Sequence, residues 1–215
     1  MLHIESMSAA SPRYQETLDQ HRRQVIVDAA RRVFEKSGLE GASVRAIAHV
    51  AGCTTGAIYP HFPSKEELFA TILGESLSTI TFEVKRAMNA SATPTKALRR
   101  GTLAIYKYYD THPSDLALAL AVFSGDRKAK LGRELDRTLK QRFDTLLEVL
   151  GEPVSRIAKK SFRPMVRVEA SALVTYLVGL LVLKHGSRID VIGNTAPILL
   201  AHYTKNLVAR LTRGP

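Results

Sequence analysis

The chain has 215 residues, long enough to bury a sizeable core as one or two domains. Its 45% hydrophobic and 24% charged content is ordinary for a globular protein, and its single cysteine, Cys53, excludes an internal disulfide. The net charge of +11 invites a nucleic-acid reading, but residues 1–75 hold 8 Lys and Arg against 9 Asp and Glu, whereas residues 76–215 hold 23 against 11. The basic excess therefore lies in the later part of the chain.

Residues 1–19 are polar and show no apolar stripe before Leu18, so they read as a flexible arm. Arg13, with Arg22 and Arg23 beyond it, could touch DNA in the way minor-groove arms do. Val25, Ile26, Ala29, Ala30, Val33 and Phe34 then recur at helical spacing, and Gly38 ends that helix. The stretch 43–68 reads as two short helices joined by a tight turn, followed by the capped start of a third. Ser43 is placed to cap the first helix, which turns Val44, Ile47, Ala48 and Ala51 to one face. Gly52 stands at the turn, where a residue without Cβ is cheap. Thr54 is placed to cap the second helix, with Ala57 and Ile58 inward and Thr55, Gly56 and Tyr59 outward. Pro63 breaks the chain, and Ser64 with Glu67 forms an S-x-x-E capping box.

Two short helices, a small-residue turn and a slim, polar second helix fit the helix-turn-helix, whose second helix enters the major groove by its N-terminal end. Thr55 and Gly56 let the backbone come close to a duplex, and Tyr59, His61 and Lys65 can reach phosphates. The free N–H groups at the start of the third helix suit a phosphate as well. The candidate DNA-contacting set is Ser43, Arg45, Thr54, Thr55, Gly56, Tyr59, His61 and Lys65. Each has a blander reading: a solvated Arg45, a Tyr59 packed on the first helix, a surface or capping His61. The string Val44-Arg45-x-Ile47-Ala48-x-x-Ala51-Gly52-x-Thr54-x-Gly56-x-Ile58-Tyr59-x-His61-Phe62-x-x-Lys65-x-x-Leu68 resembles the DNA-binding domain of the TetR family of bacterial transcriptional regulators. The resemblance reaches back over residues 22–41. It departs at Pro60, where the family more often has a bulky or polar residue, and at Cys53, where an apolar residue is usual. Proline at position 60 removes an N–H and must end or distort the second helix there.

The resemblance implies an all-α protein. After the arm, residues 20–66 would form a three-helix DNA-binding domain, and 67–215 a helical domain for effector binding and dimerisation. Phe69, Ile72, Leu73, Leu77, Ile80 and Val84 continue the third helix as one long element. Thr93 and Pro94 then cap a helix over 95–111 carrying Leu98, Leu103, Ile105, Tyr106 and Tyr109. His112-Pro113-Ser114 is a break before a short apolar helix over 116–123. Leu131, Leu135, Leu139, Phe143, Leu146, Leu147 and Leu150 form an amphipathic helix that residues 151–153 end; 156–164 is a basic loop or short helix. Residues 167–186 are apolar on nearly every face in their centre and should be buried all round. Residues 194–211, with Ile198, Leu199, Ala201, His202, Leu207 and Leu211, close the chain. In the family the last two long helices commonly pair with their symmetry mates. The resemblance thus implies a homodimer through 167–186 and 194–211, reading a palindromic double-stranded DNA operator. A lone bundle burying these faces internally is the alternative.

A small-molecule pocket among the middle helices is likewise implied, with Met88, Leu103, Tyr106, Tyr109, Leu120, Phe123, Phe143, Leu147 and Tyr176 as candidate lining. Aromatic residues at helical spacing also serve as plain core. The tyrosines at 106, 108 and 109 offer hydroxyls to orient a ligand, and the effector is expected to be mainly apolar or aromatic. No G-x-S-x-G, P-loop, paired-cysteine or H-E-x-x-H pattern occurs, and the seven histidines lack ligand spacing. No catalytic residue, metal or cofactor is assigned. No signal-peptide pattern is read, and the longest uncharged run, 170–183, is too short to span a bilayer of about 30 Å. A cytoplasmic, ligand-responsive repressor is the expectation. The alternative is a helical ligand- or protein-binding adaptor that has lost specific DNA binding, to which Pro60 lends weight.

Overall fold

Apolar side chains three and four residues apart dictate helices along the chain, and the computed structural model is built of helices and turns over its described residues, 12–123, 132–186, 189 and 193–213. These residues divide into two units, one up to Ile72 and one from Leu73 onward. The first unit holds α1 (Pro12–Gly41), α2 (Val44–Ala51), α3 (Thr55–Ile58) and the opening turns of α4 (Lys65–Asn89). Helix α1 begins at Pro12, inside the stretch expected to be an arm. Proline suits a first helical turn, because the N–H it lacks would have had no partner there. Residues 1–11 lie outside the described residues. Regular helix geometry in α1 breaks at Gly38, where φ is 64°.

The core of this unit is made by Ile26, Ala30 and Phe34 of α1, Ile47 and Ala48 of α2, Ile58 of α3, and Leu68, Phe69 and Ile72 of α4, all buried. Phe34 meets Phe69 edge to face with ring centroids 5.4 Å apart, a favoured aromatic geometry. Phe62, 1% exposed, is fully interior. The Arg23 guanidinium lies 4.8 Å above its ring.

The second unit comprises the rest of α4 with α5 (Pro94–Thr111), α6 (Pro113–Phe123), α7 (Arg133–Ile157), a 3-10 turn (Lys160–Met165), α8 (Val166–His185) and α9 (Ala196–Arg213). Thr93 caps α5 by accepting from the Lys96 N–H at 3.3 Å, with Pro94 in the first turn, as the sequence suggests. Gly101 of α5 lets α4 come close: a Cβ there would meet Met88 at 2.9 Å and Val84 at 3.3 Å. Arg142 of α7 donates to the Gly74 carbonyl at 3.0 Å and to the Ser78 hydroxyl, pinning α7 to α4.

Three expectations are corrected here. Residues 151–153 do not end α7; it runs through Pro153 to Ile157, with Gly151, Pro153 and Val154 buried. Packing thus overrides the helix-breaking tendency of Gly and Pro. Nor is α8 buried all round. Ala170, Leu173, Leu177, Leu180 and Leu181 face the core, whereas Val168 and Val182 are 54% and 43% exposed. The segment Lys160–His185 is long and apolar enough to cross a membrane by length and composition alone, so its length does not exclude a span. Its core face instead packs on α5, α7 and α9.

Burial raises the ionisation of the Tyr109 phenol well above the usual tyrosine value of 10, and the nearby Tyr108 and Asp115 push it the same way. Tyr176 and Tyr203 are also raised, mainly by burial. A folded-state pKa above the unfolded one means that the unfolded chain loses its proton first as pH rises. The stability from a neutral, buried Tyr109 is therefore complete below about pH 10 and falls away above it. Urea unfolding measured between about pH 9 and 11.5 should show declining stability, with a shallower decline in Tyr109→Phe. Identical slopes would contradict this origin.

Candidate nucleic-acid interface

The chain folds locally so as to offer the second short helix to solvent. Ser43 caps α2, its hydroxyl accepting from the Ala46 N–H at 3.1 Å. At the other end of α2, Gly52 takes φ 69° and its N–H closes on the last carbonyls, while the Cys53 N–H reaches the Ala48 carbonyl at 3.0 Å. That left-handed position is where glycine is required, and it turns the chain into α3. Thr54 caps α3 by accepting from the Ala57 N–H at 3.3 Å. Each cap hydroxyl also carries a proton of its own, a donor by chemistry.

Helix α3 ends at Ile58. Tyr59 still has helical angles, and the N–H groups of His61 and Phe62 both reach the Ile58 carbonyl at 2.9 Å, so the backbone turns tightly past Pro60. Proline has no N–H to return to Gly56, which confines regular α-helix to four residues. Ile58 is the buried anchor of α3. Thr54, Thr55, Gly56 and Pro60 are exposed, and Tyr59 is 53% exposed, so its ring is not packed away on α2. Ser43 and Arg45 are exposed on α2, and His61 is half-buried. Cys53 is a free, half-buried thiol.

Lys65 lies elsewhere than expected. Its ammonium donates to the carbonyls of Leu39 at 2.9 Å, Ala42 at 3.1 Å and Glu40 at 3.4 Å. An ammonium has three donors, and all three are engaged on the chain that leaves α1. Lys65 therefore closes the domain in this structure, its ammonium turned to the end of α1. Sequence spacing could not reveal this, because the carbonyls lie more than twenty residues upstream and meet Lys65 only after folding. Arg22 and Arg23 are also engaged within the domain, Arg22 with Asp19 at 3.6 Å and Arg23 over Phe62.

Residues 26–72 match the family described as bacterial regulatory proteins, tetR family. Residues 26–72 thus carry a TetR-family domain. The TetR-family domain is 46% identical over 54 residues to the transcriptional repressor AcnR of Corynebacterium diphtheriae, which is 25% of this chain and 28% of that protein. It is 47% identical over 58 residues to the A-factor receptor protein of Streptomyces griseus, 27% of this chain and 21% of that one. These matches span about a quarter of the relatives' length. The wider fold resembles the transcriptional regulator FadR of Bacillus subtilis, solved in complex with stearoyl-CoA, with a TM-score of 0.65 and 15% identity over 89% of this chain and 98% of that one. That last likeness is one of fold.

Among the described residues the candidate effector residues occupy several environments. Tyr106, Tyr109 and Leu147 are buried in the second unit's core. Leu120, Phe143 and Tyr176 are half-buried, and the Phe123 side chain lies outside the described residues. The Tyr176 hydroxyl donates to the Leu199 carbonyl at 3.2 Å, and its ring stacks on Tyr203 at 4.3 Å. Tyr108 donates to Asp115 at 2.6 Å, so that hydroxyl has an internal partner. Met88 lines a groove of about 410 Å³ with Lys85, Pro94, Ala97, Val149 and Glu152. Leu103 lines a different groove, between α5 and α9.

Replacing Lys65 with Met removes three charge-assisted bonds to the end of α1. Thermal or urea unfolding of Lys65→Met should show a loss of about 1.5–3 kcal/mol. The salt dependence of DNA binding should stay at the wild-type slope. A shallower slope with unchanged stability would return Lys65 to phosphate contact.

Proposed function

We propose that the protein is a ligand-responsive transcriptional regulator: a cytoplasmic repressor that binds a palindromic operator as a homodimer and is released by a small, mainly apolar or aromatic effector. The observation that carries this reading is the capped, outward-facing α3 of a TetR-family domain, with Thr54, Thr55, Gly56 and Tyr59 exposed around it. Small residues at its start let backbone and duplex approach, and Tyr59 and Arg45 are available to the phosphates. Lys65 is left out of that set, because its ammonium is bonded to the carbonyls at the end of α1. The first unit is nearly neutral, so few ion-pair contacts are expected per protomer, and binding should depend only modestly on salt.

Dimerisation is supported by α8. Val168, Ala172, Thr175, Gly179 and Val182, spaced four and three residues apart, form an exposed stripe without a charge, and Ile198 on α9 is 58% exposed. Uncharged, close-packing surface of this kind suits an isologous two-fold contact. An apolar effector accords with the fold relative that was solved with stearoyl-CoA. Effector binding would then lower operator affinity by a coupling free energy of ~1–3 kcal/mol. Pro60, which cuts α3 to one turn, favours one competing reading: an adaptor that keeps the domain but reads no sequence.

Selection of bound fragments from the source genome separates the two. A regulator should return a shared palindrome, with Tyr59→Ala weakening binding to it about tenfold and Arg45→Ala lowering the salt slope by about one. Sequence-indifferent recovery would favour the adaptor. Separately, Gly179→Arg places a charge in the middle of the α8 stripe. Sedimentation should then show monomer where the wild type is a dimer; an unchanged dimer would move the interface elsewhere.

A further inference from the structure

The basic excess of the second half of the chain has no part in the reading above, and one surface gathers some of it. Between α5 and α9 runs a groove of about 410 Å³ lined by Lys96, Arg99, Arg100, Leu103, Pro197, Leu200, Ala201 and Thr204. A second hollow of about 340 Å³ shares Arg99, Ala201 and Thr204 and carries the trough on past His202, Lys205 and Val208. Its floor is apolar: Leu103, Pro197, Leu200, Ala201 and Val208. Every Lys, Arg, Asp or Glu along both hollows is basic. Arg100 is tied to the Ala90 carbonyl at 2.6 Å. Lys96, Arg99 and Lys205 are exposed and make no ion pair among the described residues. The contrast with the groove beside Met88 is plain, since Glu152 stands there among the bases.

We infer that this trough is a docking site for an acidic amphipathic helix of another protein. Positions 197 to 208 of α9 span about 16 Å, the length of three helical turns. A guest helix would lay apolar residues at i, i+3 or i+4, and i+7 on Leu103, Leu200 and Ala201, and its flanking carboxylates beside Lys96 and Arg99 on one rim and Lys205 on the other. The charges select against a second copy of this chain, because the same groove turned on itself would set Arg99 and Lys205 against like charge. They select against DNA less strongly, but a duplex has no use for the apolar floor. The site lies outside the TetR-family domain and the α8 stripe, on the flank of α9 that faces α5, and it shares that helix with the exposed Ile198 of the proposed dimer contact.

The test uses the full-length protein and a fluorescein-labelled peptide of about 20 residues, with leucine at helical-face positions and glutamate elsewhere. Two controls accompany it: a scrambled peptide of identical composition and one with lysine in place of glutamate. Anisotropy should show saturable binding of the first peptide and loss of binding for both controls. Arg99→Glu with Lys205→Glu should weaken it about tenfold or more, and Ala201→Glu, which places a charged side chain on the floor, should do likewise. Arg137→Glu with Lys140→Glu on α7 makes the same change in net charge outside the groove and should leave binding unaltered. Circular dichroism and selected-fragment binding should be wild-type in all variants. Equal binding of the scrambled peptide, or equal loss in the α7 variant, would reduce the effect to net charge and overturn the proposal. A loss of DNA binding in the groove variants with peptide binding intact would assign these cations to DNA and overturn it as well.

Discussion

One ammonium closes the N-terminal unit. Gly38 breaks α1, and the chain from Leu39 to Ala42 leaves carbonyls facing inward without helical partners. Carbonyls in that position need donors, and a buried one without a partner is costly. Lys65, at the first position of α4, supplies three bonds at once. The contact joins the end of α1 to the start of α4 and so brackets the α2–α3 pair between them. Phe34 against Phe69 and Phe62 beneath Arg23 complete the same closure with apolar surface. Thr55 and Tyr59 are held outward because Ile58 is held inward by this small, fully packed core.

Much of this was legible in the residue string, for reasons that are local. Ser43, Gly52, Thr54, Ser64 and Thr93 are caps and turns whose chemistry acts within three or four residues, and the structure shows each in that role. The apolar spacing in α1, α5 and α7 is equally local. What escaped is non-local. Lys65 looks like any exposed base until its carbonyls are brought to it. Pro153 looks like a terminator, yet α7 continues through it under the packing of Val154 and its neighbours. The polar start of α1 has no stripe to betray it, because the residues after Pro12 form helix while burying little. The tyrosines of α5 share a spacing with pocket residues and with plain core alike; Tyr106 and Tyr109 are buried, and Tyr108 donates to Asp115.

Charge is distributed as unevenly as the apolar surface. The unit that resembles a DNA reader is close to neutral, and two of the cations that the sequence offers it, Lys65 and Arg23, are engaged within the domain. The unit that carries the positive excess holds three cations along one apolar trough that make no ion pair among the described residues, while its α8 stripe holds none. Two surfaces of the same unit are therefore chemically opposed: one that like charges keep from pairing with itself, and one that nothing keeps from doing so.

The single turn of α3 sets an information limit on any DNA reader built this way. Four residues advance about 6 Å along a helix axis, which is less than two base-pair steps of about 3.4 Å each. A head with so short a probe can distinguish only a few base pairs directly, far fewer than are needed to name one address among the millions of a bacterial chromosome. In such a reader Pro60 would make pairing, or the shape of the intervening DNA, part of the specificity itself. A monomer of this chain would be nearly sequence-blind, and selectivity would be a property of the assembly.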